Sequence, residues 1–539
     1  LLWLLAACQD PAAPPGGTEA VTLALPGDVR DLLPILSRSA IDATVTDAIY
    51  LPLVTPEFDC ELHFHPGLAR DWTRSEDGKT LRVELRTDAT WEDGAKVTAD
   101  DVRFAWTLVA DPVVKSTRAV ALAAAGAPRV VDADTLEWRF VAPTPLERML
   151  LTVASVVPVP KHLLDGPSVD RASLRTHALD TQSPVGNGPW RLSERVTGER
   201  LVLTPNTAWS GPDDERPRLG RVVFRVLPDY AARIEALRSG AVDVAEGIDV
   251  ADIDGLLADN PDLQVRRRGW RTVEYVAWNT VTRSGPDADP TPHPLFADRS
   301  VRRALTQAVD IDGMITALLT SPKTGEIYGR PAVSTLTPAL CDIAKDEVAR
   351  LPFSPEDARA QLTELGWADT NNDGWLDKDG QPFRFTLLVS AASPRRGAAA
   401  DRVREGLAAI GIDVQVSRLE PATLVERIQA RDFDAVLSSW SAAVDPDPAP
   451  IWGPESEFNL TTWRDQRVAD LLATAAAAPD MATAAATYEQ LQRVVYEEQP
   501  YTFLYWVDEP VLVHRRFDGV TVDLLAPWRS LNRWWVAAG

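Results

Sequence analysis

Residues 401–437, DRVREGLAAIGIDVQVSRLEPATLVERIQARDFDAVL, contain two helix-to-strand transitions in succession. Val403, Leu407 and Ile410 fall on one face of a helix, and Gly411 ends it. Ile412, Val414 and Val416 then alternate, which is the period of a strand. Leu424 and Ile428 restore the helical period. Phe433, Ala435 and Leu437 return to alternation. Strands that alternate with helices predict an α/β architecture.

The same pattern extends outward on the N-terminal side. Residues 354–366 have Ser354 as N-cap, Pro355 at the first helical position and Gly366 as the stop. Residues 300–319 place Val301, Ala304, Leu305, Ala308 and Val309 on one stripe. In residues 229–245, Asp229 caps a helix carrying Ile234 and Leu237, Gly240 ends it, and Val242 and Val244 alternate. Residues 98–109 open with Thr98 and with Asp101 three positions later, a box-like start. Val102, Ala105, Trp106 and Val109 then share a face. No tandem repeat is present.

The chain has 539 residues, enough for three to four domain-sized units. Its net charge of −23 disfavours nucleic acid and anionic lipid headgroups as partners. It has 18 Trp but only 3 Met, and most of these rings belong in cores, with a few left for a binding surface.

The first residues, LLWLLAACQDPAAPPGGTEA, hold an apolar run too short to span a bilayer. The run reads as the tail of a signal peptide. Leu5-Ala6-Ala7-Cys8 resembles a bacterial lipobox, in which the cysteine takes the lipid. The Pro-, Gly- and Ala-rich residues behind it suit a flexible tether. Cys8, Cys60 and Cys341 make neither a disulfide framework nor a zinc pattern.

Catalytic signatures are missing: HExxH, GxSxG, GxxxxGK[ST] and CxxC do not occur. Gly186-Asn187-Gly188-Pro189-Trp190 fails as a phosphate loop, because Pro189 lacks an N–H, and it reads as a turn. His63 and His65 share a strand face but lack a third ligand nearby. Residues 369–380, DTNNDGWLDKDG, place Asp369, Asn371, Asp373 and Asp377 as in a calcium loop. Gly380 stands where a bidentate Glu is needed, so a polar hairpin tip is expected. Trp440 closes a strand and precedes Asp445-Pro446-Asp447-Pro448; the spacing fits equally a ring and an acid that meet a ligand at a strand's carboxyl end and a core Trp beside a turn.

Several segments together resemble the family 5 extracytoplasmic solute-binding proteins, receptors of ABC importers for peptides, oligosaccharides and nickel chelates. They are PGLARDWTRSEDGKTLRVELRTDATWEDGAKVTADDVRFAW (66–106), PVGNGPWRL (184–192), LPDYAARIEALRSGAVDVAEG (227–247), VEYVAWNT (273–280), FADRSVRRALTQAVDIDGMI (296–315), FSPEDARAQLTELGW (353–367), GLAAIGIDVQV (406–416) and the Trp440–Pro446 loop. The resemblance implies a two-lobed periplasmic-binding-protein fold with a hinge and an additional domain in lobe I. Residues 1–17 would be the signal remnant and tether. Lobe I would combine 18–47, 170–269 and 505–539, the additional domain 48–169, and lobe II 270–504.

It implies a monomeric lipoprotein outside the cytoplasmic membrane, with no cofactor and no catalysis. A small ligand would be captured by hinge closure and handed to ABC permease subunits. The ligand-facing residues implied are Trp270, Tyr275 and Asn279 on the first crossing strand, Ser438, Ser439, Trp440 and Asp445 at the loop, and Tyr505 and Trp506 on the return. In peptide-binding members an Asp shortly after the Trp holds the ligand's ammonium. Ala442 and Ala443 occupy that neighbourhood in this chain. Oligopeptide-like ligands lead, ahead of sugars or chelates and ahead of a purely sensory role. Cys60 and Cys341 fall in different domains by this resemblance, which argues against their pairing.

Overall fold

The computed structural model describes residues 19–282, 289–341, 343–344, 348–442 and 445–537. Cys8, the tether and Ala443 lie outside the described residues. Among the described residues one 11-stranded mixed sheet runs through the molecule. At its heart lie two long antiparallel strands, Leu263–Trp278 and Tyr501–His514. Val244–Ala245, Ala20–Leu25 and Arg221–Val226 continue the sheet on one side, and Ala435–Ser441, Arg384–Ser390 and Asp413–Leu419 on the other.

Residues 401–437 form as their pattern predicts. Helix Pro394–Ala409 joins the parallel strands Arg384–Ser390 and Asp413–Leu419, and helix Pro421–Gln429 leads to Ala435–Ser441. Gly411 turns the chain at φ +89°, a conformation that a Cβ would strain. The capping signals also hold. Ser354 accepts the Asp357 N–H, Asp229 accepts that of Ala232, and the Asp101 carboxylate accepts that of Thr98. Residues 300–319 are not one helix. They split into Arg299–Gln307 and Ile311–Leu318, because Asp310 caps a fresh N-terminus by accepting the Gly313 N–H at 2.8 Å.

The crossing strands carry irregularities between Arg267 and Thr272, where Gly269 has φ +77°. Before this kink, Leu263–Arg267 pairs with Pro510–His514. After it, Thr272–Ala277 pairs with Tyr501–Val507. A separate antiparallel sheet, Ala69–Arg74, Thr80–Leu85, Thr135–Arg139 and Arg129–Asp132, packs into a first core that it shares with Ala20–Leu25 and Arg221–Val226. A hairpin of Val54–Asp59 and Glu61–Pro66 projects from it.

The hairpin corrects one expectation. Cys60 at its tip is bonded to Cys341, with the Cα atoms 4.5 Å apart. The resemblance assigned the two to different domains and argued against pairing; the hairpin tip instead docks at Cys341, with the Cys60 N–H donating to the Ala339 carbonyl.

Candidate functional site

Strand register sorts the residues expected to face a ligand. Val273 pairs with Trp440, Glu274 with Ser439 and Tyr275 with Ser438. Successive side chains point to opposite faces. Tyr275, Ser438, Trp440 and Trp506 therefore share one face, while Glu274, Ser439 and Tyr505 share the other.

On the first face the aromatic rings form a stack. Tyr275 lies over Tyr501 with centroids 4.1 Å apart and planes 4° apart, and Trp440 lies 6.2 Å beyond Tyr275. The Trp440 indole N–H donates to the Tyr501 hydroxyl at 3.3 Å, and Phe458 meets Trp440 edge-on. Tyr275 and Trp506 are buried, whereas Trp440 and Ser438 are half-exposed. Trp270 sits at the kink, half-buried under the Arg330 guanidinium, and its carbonyl accepts the Thr337 hydroxyl at 2.7 Å. Asn279 is buried, and its side-chain amide donates to the carbonyls of Arg431 and Phe433.

Trp440, Ser441, Ala442, Asp445 and Asp447 border a small cavity of about 40 Å³ that opens to solvent, and Thr335, Thr337 and Leu340 also line it. Solvent reaches Asp445, yet protein surrounds it. Lost hydration pushes its carboxyl above the usual range, while the Arg148 charge pulls the other way. Asp445 accepts the Asp447 N–H. Arg148, from helix Leu146–Ala154, pairs with Asp447 at 3.1 Å and donates to the Tyr488 hydroxyl at 2.9 Å.

The second face holds a charge cluster that pattern reading missed. Glu274 is fully buried and accepts two bonds from Arg395, at 2.9 and 3.3 Å. Arg395 also reaches Asp249 at 3.6 Å, and Arg396 donates to Ser439 at 3.4 Å. Burial pulls the Arg395 guanidinium down, but Glu274, Tyr505 and Asp249 together outweigh it and the net shift is upward. Two signals were available. A lone acid in the apolar run VEYVAW needs a partner. Two arginines in the first turn of a helix oppose its dipole, so they need a carboxylate nearby. Asp249 follows the strand Val244–Ala245, and Arg395 follows Arg384–Ser390. Carboxyl ends of parallel strands from both halves of the sheet thus meet at this ion pair.

The calcium-like loop uses its carboxylates on its own turn. Asp369 accepts the N–H groups of Asp373 and Gly374, and Asp377 accepts both the N–H and the hydroxyl of Thr370. Among the described residues no group of three or more His, Cys, Asp or Glu is placed to hold a metal ion. His65 pairs with Glu57 on its hairpin. Gly186–Pro189 is not the expected turn: it runs alongside residues 49–51, where the Gly188 N–H donates to the Ile49 carbonyl and the Asn187 side-chain oxygen accepts the Leu51 N–H.

Residues 63–460 match the family described as bacterial extracellular solute-binding proteins, family 5. The chain belongs to that family. It is 26% identical over 487 residues to the oligopeptide-binding protein AppA of Bacillus subtilis, covering 89% of this chain and 85% of that protein. It is 24% identical over 469 residues to the nickel-binding periplasmic protein of Escherichia coli, covering 83% and 80%. The structure of Bacillus subtilis AppA with a nonapeptide superposes with a TM-score of 0.79 at 24% identity, covering 97% of this chain and all (100%) of that one. NikZ of Campylobacter jejuni with Ni(L-His) gives 0.78 at 20% identity, covering 96% and 99%. The two-lobed α/β fold is that of these proteins. As a family 5 receptor the protein captures a solute outside the cytoplasm for an ABC importer, and it is not an enzyme.

Proposed function

We propose that the space beside Trp440 is the ligand site and that its ligand is oligopeptide-like. The observation that carries this is the pairing of a half-exposed indole with the cavity-facing carboxylate of Asp445. An aromatic face takes apolar side chains or peptide planes, and a carboxylate takes an ammonium group. AppA, named for oligopeptide binding, supports the same reading. Ser438 lies on the Trp440 face and supplies a hydroxyl there. Asn279, Tyr275, Tyr505 and Trp506 act behind this surface by holding it in place.

Lobe I is taken as 18–47, 170–269 and 505–539, the additional domain as 48–169 and lobe II as 270–504. The kink at Arg267–Thr272 is the point about which they close. The chain works as a monomer held to the membrane by a lipid on Cys8. The disulfide supports an oxidising compartment.

A thermal-shift screen of oligopeptides, oligosaccharides and metal chelates tests the ligand class. Oligopeptides raise the melting temperature if the reading holds. A shift confined to chelates or sugars refutes it. Cys8→Ala in the full chain releases the protein from the membrane fraction, and retention there refutes the anchor.

A further inference from the structure

The hairpin Val54–Pro66 is rooted in one body and bonded to another. At its base Val54 and the preceding Leu53 lie in the core that includes Val21, Leu23, Val222 and Trp534, and Arg529 donates to the Pro56 carbonyl at 2.9 Å. Near its tip Phe58 and Leu62 pack instead against Leu336, Leu340, Ile343, Met481 and Tyr488. At the tip the Cys60 N–H donates to the Ala339 carbonyl at 3.0 Å, and the disulfide to Cys341 closes the contact.

The segment so fastened borders the cavity. Leu336, Thr337 and Leu340 line the space beside Trp440 and Asp445, and Cys341 follows directly. Arg148, on a helix of the same first core as the hairpin base, makes a second contact across the gap through Asp447. Noncovalent contacts of this kind can part when two lobes swing about a hinge. A disulfide cannot, since it holds its Cα atoms within about 7 Å.

We infer that Cys60–Cys341 is a redox latch across the mouth of the cleft: while the bond persists the lobes stay together, and a dithiol must reduce it before the cleft opens. This rests on the cavity being the ligand site. Both cysteines are exposed, so an external thiolate can reach the bond. Attack by one thiolate of the dithiol forms a mixed disulfide with one cysteine and expels the other as a thiolate, which takes up a proton. The second thiol of the reductant then resolves the mixed disulfide and frees the first cysteine. The protein gains two electrons and two protons, and the dithiol becomes a disulfide. A ligand enclosed by the oxidised form is thereby retained until a thiol partner acts. A chain reduced on arrival is free to load.

The test uses the full chain without ligand, so that failure of the ligand assignment leaves it readable. Small-angle scattering and melting are recorded for the oxidised protein, for the same protein after dithiothreitol, and for the Cys60→Ser, Cys341→Ser double variant. The oxidised protein is expected to titrate two fewer thiols than the reduced one. Both unlatched forms are expected to melt cooperatively and to show a larger radius of gyration. Equal thiol titres overturn the latch, because the bond is then absent. Identical scattering overturns it, because the noncovalent contacts then suffice to hold the lobes. Loss of cooperative melting on reduction also overturns it, because the bond is then a staple needed for folding.

Discussion

Tyr275 and Tyr501 stack face to face, with ring centroids 4.1 Å apart, on adjacent crossing strands. Both are fully buried, and Trp440 leans on them from the exposed side. The pair is the floor on which the indole rests. Tyr501→Ala empties a large buried volume and is expected to cost about 3–5 kcal/mol, in the range for large buried rings. Trp440→Ala removes a half-exposed ring and is expected to cost clearly less while weakening ligand binding. Urea unfolding of both variants checks this. Equal losses would place Trp440 in the core rather than at the site.

Glu274 and Arg395 are expected to behave as a buried pair. Removing one partner leaves the other charge without compensation, so Glu274→Ala is expected to cost about 3–5 kcal/mol. Replacing both residues with Met is expected to recover part of that loss. A double-mutant cycle measures the coupling. If the double variant is as unstable as the sum of the singles, the two residues do not act together.

Asp180 gives a pH signature. It is fully buried and accepts the N–H groups of Leu32 and Leu33 at 2.9 and 2.7 Å, yet burial pushes its carboxyl up from 3.8 to about 6. The fold therefore binds this proton more tightly than the unfolded chain does. Its contribution to stability falls as pH rises from about 3.8 to about 6 and is level above that. Melting of the wild type and of Asp180→Asn across this range is expected to show the wild-type advantage shrinking with rising pH. A difference independent of pH would contradict the assignment.

Gly186 is required by space rather than by φ. A Cβ at this position would stand 2.2 Å from the Ile49 carbonyl oxygen. Gly186→Ala is expected to cost about 1–3 kcal/mol, as overpacking does. Denaturant unfolding at full length checks it, and a neutral result would mean that the segment is free to shift away from Ile49.

Local pattern carried the fold a long way. Gly411, Ser354 and Asp229 act within a few residues of themselves, so spacing alone reveals them. Residues 300–319 show the limit. Their apolar stripe runs on through Val309, but the Asp310 side chain starts a second helix. The candidate site was less legible, because its geometry is set by partners distant in the chain. Ser438 and Ser439 look alike in sequence, yet strand alternation sends one toward Tyr275 and the other toward Arg396. Glu274 gains its meaning from Arg395, 121 residues away. Cys60 and Cys341 are separated by 281 residues and meet only once the hairpin has docked.

This chain is expected to bind one solute beside Trp440. Isothermal titration tests it, with the strongest peptide from the thermal screen added to the wild type and to Trp440→Ala. One site per chain is expected, with affinity in the variant reduced at least about tenfold, or about 1.4 kcal/mol. Equal affinity in the two proteins would contradict the account.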